Sequence, residues 1–320
     1  MQNIRTKDLP GGITQIDTEY HQPGIAASYL MQEHDSALFI ETGTSLAVPI
    51  LLKVLDEKGT PREKVTHIIV THVHLDHAGG SGELLRHLPN ARLVVHPKGA
   101  RHLIDPTKLI ASATSVYGEK VVKEVYGVIQ PIPAERVIEA GDNYTIDFNG
   151  RTLRVVDTPG HARHHFCLWD ERTRGFFTGD VFGISYRAFD SDEGVFIFPT
   201  TTPVQFEPEV LKSSITRLME FKPDRMYLTH FGVVTDTTRL ADSLLKQIDQ
   251  YITIAEQSAK EENRMEFLIQ ALEELFVEAL TRHQVKMSRE QMIQLLEMDI
   301  QLNAQGIDIY LERKSTAGKS

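Results

Sequence analysis

The decapeptide 71-THVHLDHAGG-80 sets His72, His74, Asp76 and His77 within six residues, directly after the apolar run 65-VTHIIV-70. A short apolar run of this kind reads as a strand buried on both faces. His72 and His74 are two apart where the chain leaves that strand, so extended geometry turns both imidazoles the same way, towards one metal ion. Asp76 and His77 follow on turning backbone, where a second set of ligands can face a neighbouring site. Gly79 and Gly80 let the chain fold tightly behind them. Imidazole with carboxylate suits zinc, iron or manganese, and the lack of thiolate argues against a purely structural zinc site.

Three later stretches repeat the placement of a ligand-type residue where an apolar run meets a glycine. They are 158-TPGH-161, 177-FTGD-180 and 228-LTHFG-232, which supply His161, Asp180 and His230. Ligands gathered from several strand ends are how a rigid scaffold builds an open site. Five histidines and two aspartates suffice for two ions sharing one carboxylate.

Outward from these motifs, residues 12–44 read as a meander of short strands, and residues 45–59 as a helix carrying Leu46, Ile50, Leu51 and Leu55, stopped by Gly59 and Pro61. A short helix over 82–87, the strand 91-ARLVVHP-97 and a longer helical stretch over 100–126 continue the alternation. Hairpin-like strands follow through 144–180, broken by Asn149-Gly150 and residues 170–175. A helix over 209–221 and the strand 226-MYLTHF-231 come next. Strand-helix alternation early and hairpins late predict an α/β fold with a mixed sheet and helices outside. Beyond Gly232, three apolar stripes appear: Leu240, Leu244, Ile248 and Ile252; Leu268, Leu272, Leu275 and Ala279; Met292, Leu296 and Ile300. Ser288 with Gln291 reads as a capping box. The expected division is a catalytic domain over 1–234, a helical subdomain over 235–313 and a disordered tail over 314–320.

The 320 residues, 41% hydrophobic and 24% charged, are those of a globular chain able to bury a large core. Cys167 is the single cysteine, which excludes an internal disulfide framework and fits a reducing cytoplasm. A net charge of -10 argues against nucleic acid and anionic membrane as partners, leaving a small-molecule substrate. No segment has the ~20 apolar residues of a spanning helix. Whether the helical stripes shape a pocket or pair subunits as a homodimer is open at this level.

With His72, His74, Asp76, His77, His161, Asp180 and His230 in this order, the chain resembles the metallo-β-lactamase superfamily of αββα hydrolases over residues 12–232. The wider pattern of THVHLDHAGG, RHLIDPTKL, TPGHARHH, PTTTPVQF and LNAQG resembles a little-characterised branch of it with a helical C-terminus. The resemblance implies a four-layer αββα sandwich with a helical extension. It implies one metal on His72, His74 and His161, a second on Asp76, His77 and His230, and Asp180 bridging them. The ions would be two divalent metals, zinc first, with iron or manganese as alternatives. A hydroxide held between them would attack a small ester, thioester, lactone or phosphodiester, with Asp76 as the catalytic group that orients water or passes on its proton.

Departures from the family narrow the substrate. Lactam-hydrolysing members commonly carry cysteine where Asp180 stands. Lactonases with a tyrosine three residues after the bridging aspartate differ from this chain, which has Gly183 there and Tyr186 further on. The stretch 179-GDVFGISYRAF-189 does not resemble its counterpart in glyoxalase II or persulfide dioxygenases. Flavodiiron members have glutamate at the position of His74, and transfer-RNA-processing members have basic surfaces. Arg163, Tyr186 and Arg187 are candidate substrate contacts for an anionic or aromatic group. His165 is a candidate partner behind the ligands. An iron-dependent oxygenase on the same fold, and a metal-stabilised regulatory protein without turnover, are the rival functions.

Overall fold

The computed structural model describes residues 4–201, 203 and 205–317. Two compact units share the chain, and it passes between them more than once. The first comprises Met1–Asp157, His164–Gly179 and Pro223–Thr235; the second comprises Thr158–Arg163, Asp180–Lys222 and Asp236–Ser320.

The first unit holds both sheets. Strands β1 (Thr6–Leu9), β2 (Ile13–Asp17), β3 (Ala27–Glu33) and β4 (Ser36–Ile40) form an antiparallel meander. Helix α1 (Val48–Glu57) leads to β5 (Val65–Ile69), and α2 (Leu75–Ala78) and α3 (Ser81–His87) lead to β6 (Arg92–Val95). Helices α4 (Pro97–Ile104), α5 (Thr107–Tyr117) and α6 (Glu119–Val121) precede β7 (Val137–Glu139), and β4 to β7 pair in parallel. The second sheet runs in the order β13-β12-β11-β10-β9-β8. Its members are β8 (Thr145–Phe148), β9 (Arg151–Asp157), β10 (Phe166–Asp170), β11 (Gly175–Phe177), β12 (Arg225–Leu228) and β13 (Gly232–Val234), with β11 and β12 its parallel pair.

Side-chain alternation explains why β5, after Thr66 and His67, ends in the apolar pair Ile68–Ile69. Ile69 packs between the sheets with Leu38, Ile40, Val94, Leu153, Val155, Phe166, Leu168 and Phe177. Ile68 faces the other way, with Phe39, Leu93 and Val95, onto Leu51, Leu55, Leu84 and Leu103 of the helices. Covered on both faces, this pair leaves no polar position before the chain exits the strand, and the ligand-type histidines follow. A buried ion pair ties the second sheet to the loop after β1: Arg151 donates to Asp170 through Nε at 2.9 Å and Nη2 at 2.5 Å, and through Nη1 to the Gly11 carbonyl.

The second unit contains α7 (Pro208–Glu220), α8 (Thr237–Ser258), α9 (Arg264–Arg282) and α10 (Arg289–Ala317). Leu240, Leu244 and Ile248 of α8 and Met292, Leu296 and Ile300 of α10 are buried at the predicted spacing. In α9 the buried face is turned by one residue. Leu268 and Leu272 continue into Phe276 and Leu280, and Leu275 and Ala279 are only half-buried, because the larger Phe276 ring packs edge-on to Phe198 at 5.2 Å. Ile252 is likewise half-buried, while Tyr251 beside it is enclosed and donates to the Pro199 carbonyl. The capping box is present, with Ser288 N–H on Gln291 Oε1 and Gln291 N–H on Ser288 Oγ.

Three boundaries differ from the sequence expectation. Residues 45–47 form a tighter 3-10 turn ahead of α1, and Leu46 is 55% exposed instead of facing the core. The helical stretch over 100–126 is divided at Pro106, which lacks an N–H and disfavours helix at Asp105, and at Gly118, whose φ of +83° ends α5. Helix α10 continues past Arg313 to Ala317; residues 318–320, with Thr202 and Val204 of the PTTTPVQF motif, lie outside the described residues. Among the described residues, no helix is long and apolar enough to cross a membrane.

Candidate metal centre

The chain leaves β5 through buried Thr71 and His72, and His74 stands immediately before α2 with extended backbone (ψ 149°). That single turn carries Asp76 and His77, so four ligand-type side chains issue from one strand end. The loop after β4 clamps them from behind. Thr42 donates its N–H (2.8 Å) and its Oγ1–H (2.9 Å) to the His77 carbonyl, and Gly80 N–H donates to the Gly43 carbonyl. A Cβ on Gly80 would stand 2.8 Å from the Thr44 carbonyl oxygen, so the approach requires glycine.

His72 Nδ1 lies 3.0 Å from Thr71 Oγ1, whose hydroxyl donates to the Glu41 carboxylate. That chain of bonds fixes the His72 proton on Nδ1 and turns the Nε2 lone pair to His74 Nδ1, 2.7 Å away. The same glutamate reaches His77, with Oε1 3.3 Å from its Nδ1. His230, between β12 and β13, points its Nδ1 at the Ile25 carbonyl, 2.9 Å away. With both Nδ1 atoms facing acceptors, His77 and His230 present Nε2 to each other at 3.3 Å, and Asp76 Oδ2 lies 3.6 and 3.3 Å from those nitrogens.

This arrangement is the test of whether a cation fits. Two imidazole lone pairs and a carboxylate oxygen repel one another in a buried setting unless something positive lies between them. A triangle with these edges has its centre about 2 Å from each corner, which is the length of a zinc–nitrogen or zinc–oxygen bond. Carboxylate or carbonyl partners on the far nitrogens are the usual support of metal-ligating histidines. Asp76, His77 and His230 therefore fit a divalent metal.

His165 is fully buried beside the ligands, its ring 4.9 Å from that of His72. Gly179, with φ +48°, passes so close that a Cβ would stand 2.5 Å from His165 Nε2 and 2.4 Å from Thr71 Oγ1. His164 is 94% buried by its 6% exposure, and burial, reinforced by His74 and His102, lowers its pKa to about 3. On the Asp76 side, Tyr20 and Tyr126 share a hydrogen bond at 2.9 Å and pack around Leu75. Burial first, and then the Asp76 charge, raises the Tyr20 pKa.

In the second unit, Gly160 (φ +122°) lets 158-TPGH-161 lie against α7, where Ser214 donates to the Pro159 carbonyl at 2.6 Å. His161 and Asp180 are both buried there, with His161 Nε2 3.3 Å from Asp180 Oδ2. The candidate substrate contacts are engaged within the same unit. Arg163 is paired with Glu207 at 2.8 Å, Tyr186 donates to Asp299 at 3.1 Å, and Arg187 folds back on the Ser185 carbonyl at 2.8 Å. Glu41, Thr71 and the Ile25 carbonyl were not among the sequence candidates. Glu41 had one visible signal, an acid at the end of an apolar strand before Gly43, whereas the carbonyl had none.

The family model described as the metallo-beta-lactamase superfamily matches residues 21–230. A metallo-beta-lactamase fold-containing protein of Sulfurisphaera tokodaii is 31% identical over 230 residues, 71% of this chain and 79% of that protein. A hydroxyacylglutathione hydrolase of a Synechococcus species is 30% identical over 154 residues, covering 48% of this chain and 47% of the relative. A thioesterase of Emericella nidulans is 28% identical over 170 residues, covering 52% and 38%. This chain thus spans under half the length of the latter two. The crystal structure of a metallo-beta-lactamase family protein from Thermus thermophilus covers 96% of this chain and 95% of its own, with a TM-score of 0.68 at 20% identity. That likeness shows the α/β metallo-β-lactamase fold with its helical extension.

Proposed function

Because this chain belongs to the metallo-beta-lactamase superfamily, we propose that it is a dinuclear metal-dependent hydrolase acting on a small ester or thioester. The observation that carries the reading is the convergence of His77 Nε2, His230 Nε2 and Asp76 Oδ2, with His230 Nδ1 2.9 Å from the Ile25 carbonyl and the Glu41 carboxylate 3.3 Å from His77 Nδ1. His72, His74 and His161 would hold the first metal, Asp76, His77 and His230 the second, and Asp180 both. The names of the Emericella and Synechococcus relatives support a thioester or ester bond over a lactone or phosphodiester.

Two divalent ions, when bound, would supply Lewis acidity and lower the pKa of a water to near neutral. The remaining work falls to the chain. Glu41 lies 3.3 Å from His77 Nδ1 and reaches His72 through Thr71, so one buried carboxylate stands behind a ligand of each proposed metal. Asp76 is the least enclosed of the three clustered groups and serves as proton acceptor for the attacking water. Leu75, Tyr20 and Tyr126 exclude bulk water from the Asp76 side.

Elemental analysis of protein purified without added metal, followed by chromogenic esters, thioesters, lactones and phosphodiesters, tests this reading. Near two equivalents of zinc or manganese with ester or thioester turnover is the expected result. About one equivalent of iron with oxygen uptake and no hydrolysis overturns it.

A further inference from the structure

The two flanks of the centre in the first unit differ in charge. On the Asp76 side stand Leu75, Tyr20 and Tyr126, closed over by apolar Ile25, Val122 and Ile129. On the His74 side stands a file of imidazoles: the His164 ring is 5.8 Å from that of His74, and the His102 ring is 6.2 Å beyond His164. The file ends in exposed cations on α4 and at the start of α5. Arg101 Nε donates to His102 Nε2 at 3.3 Å, and Arg101 and Lys108 both act electrostatically on His102.

Two observations show that this flank has charged and polar groups without partners. Among the described residues, Arg101 and Lys108 make no ion pair, although the chain as a whole carries ten more negative charges than positive ones. Asp105, a carboxylate between them in sequence, is occupied by the N–H and hydroxyl of Thr107, at 3.1 and 2.7 Å. Independently, His164 Nδ1 is buried between His74 and His102 with no hydrogen-bond partner. A buried polar atom in that state is a standing cost that a ligand's polar atom relieves.

We propose that the substrate is anionic, its carboxylate or phosphate held by Arg101, His102 and Lys108 on the His74 side, with His164 Nδ1 bonded to the part that joins this anion to the scissile bond. The inference deepens the hydrolase reading and rests on it. Arginine beside lysine suits either anion, since the guanidinium fork takes two oxygens of a carboxylate or a phosphate and the ammonium adds a point charge. The apolar remainder lies towards Tyr20 and Tyr126.

The test compares mono-p-nitrophenyl glutarate with neutral p-nitrophenyl valerate on the zinc-loaded protein and on its R101E and R101A/K108A variants. Both positions are exposed and distant from any proposed metal ligand in sequence. Calorimetric binding of monomethyl glutarate and of methyl phosphate to the same proteins gives a readout independent of turnover, and the tighter of the two names the anion. The expected result is a preference for the charged ester, about a tenfold or greater rise in its KM in either variant, an unchanged valerate rate, and anion binding lost in R101E. Equal kcat/KM for the two esters in the wild type, or equal loss on both in the variants, overturns the anion site and leaves the hydrolase reading standing. Anion binding that vanishes in R101E while neither ester is cleaved overturns the hydrolase reading and keeps the site. Anion binding unchanged in R101E overturns the site.

Discussion

Glu41 Oε1 lies 3.3 Å from His77 Nδ1, and both side chains are almost wholly enclosed. Glutamine at position 41 keeps the shape but removes the charge that favours Nδ1–H on His77. The expected outcome for Glu41→Gln is a 10- to 100-fold loss of metal affinity with the fold intact, read by titration against a competing chelator. Unchanged affinity would show that Glu41 has no part in holding the ligand.

His74→Ala and Asp180→Ala are expected to lose bound metal and turnover together while the far-UV circular dichroism spectrum is retained. His74 and Asp180 come from different units, so the pair tests separately whether each unit contributes to the proposed centre. Full activity with retained metal in either variant contradicts the ligand set.

Asp170 and Arg151 form an ion pair with neither side chain exposed. Removing one member of such a pair costs about 3–5 kcal/mol, a loss that Glu33 Oε2, 3.7 Å from Arg151 Nη1, offsets only in part. Asp170→Ala should lower the urea midpoint accordingly, more than Asp224→Ala, which removes an exposed partner of Arg174. Equal midpoints for the two variants would refute the assignment.

His164 has its pKa lowered from 6.5 to about 3, first by burial and then by His74 and His102. Between those values the unfolded chain binds a proton that the folded chain refuses. Stability is therefore full above about pH 6.5, falls as the pH drops below it, and levels off near pH 3. Chelator-treated His164→Leu should show a shallower decline in melting temperature from pH 7 to pH 4 than chelator-treated wild type. Parallel declines would mean that His164 is not buried neutral.

The four chain segments that carry the seven ligand-type residues were legible because each follows an apolar run that ends there. Helix stripes were legible for the same reason, up to the choice between neighbours: Phe276 displaced Leu275 from the core of α9 because a larger ring fills the space beside Phe198. What stayed hidden depended on contacts remote in sequence. The Ile25 carbonyl that orients His230 is 205 residues away from it, and a backbone acceptor has no residue type to recognise. Nothing in the sequence marks Glu207, 44 residues on, as the partner of Arg163. Arg101 and Lys108 looked like ordinary surface charge, and only the His164–His102 file gave them a direction.

His77 and His230 meet across 153 residues of chain. At about 5–20 residues per second, synthesis of that interval takes about 8–30 s. Throughout it, a nascent chain presents His72, His74, Asp76 and His77 to the surrounding metal pool without the partner that closes the triangle. An ion captured early at the proposed site would be held by fewer groups and would exchange more readily than one captured after β12 and β13 have paired. The choice of ion at the second proposed site would thus fall late, when His230 arrives, and the order in which a ribosome delivers the ligands would become part of that choice.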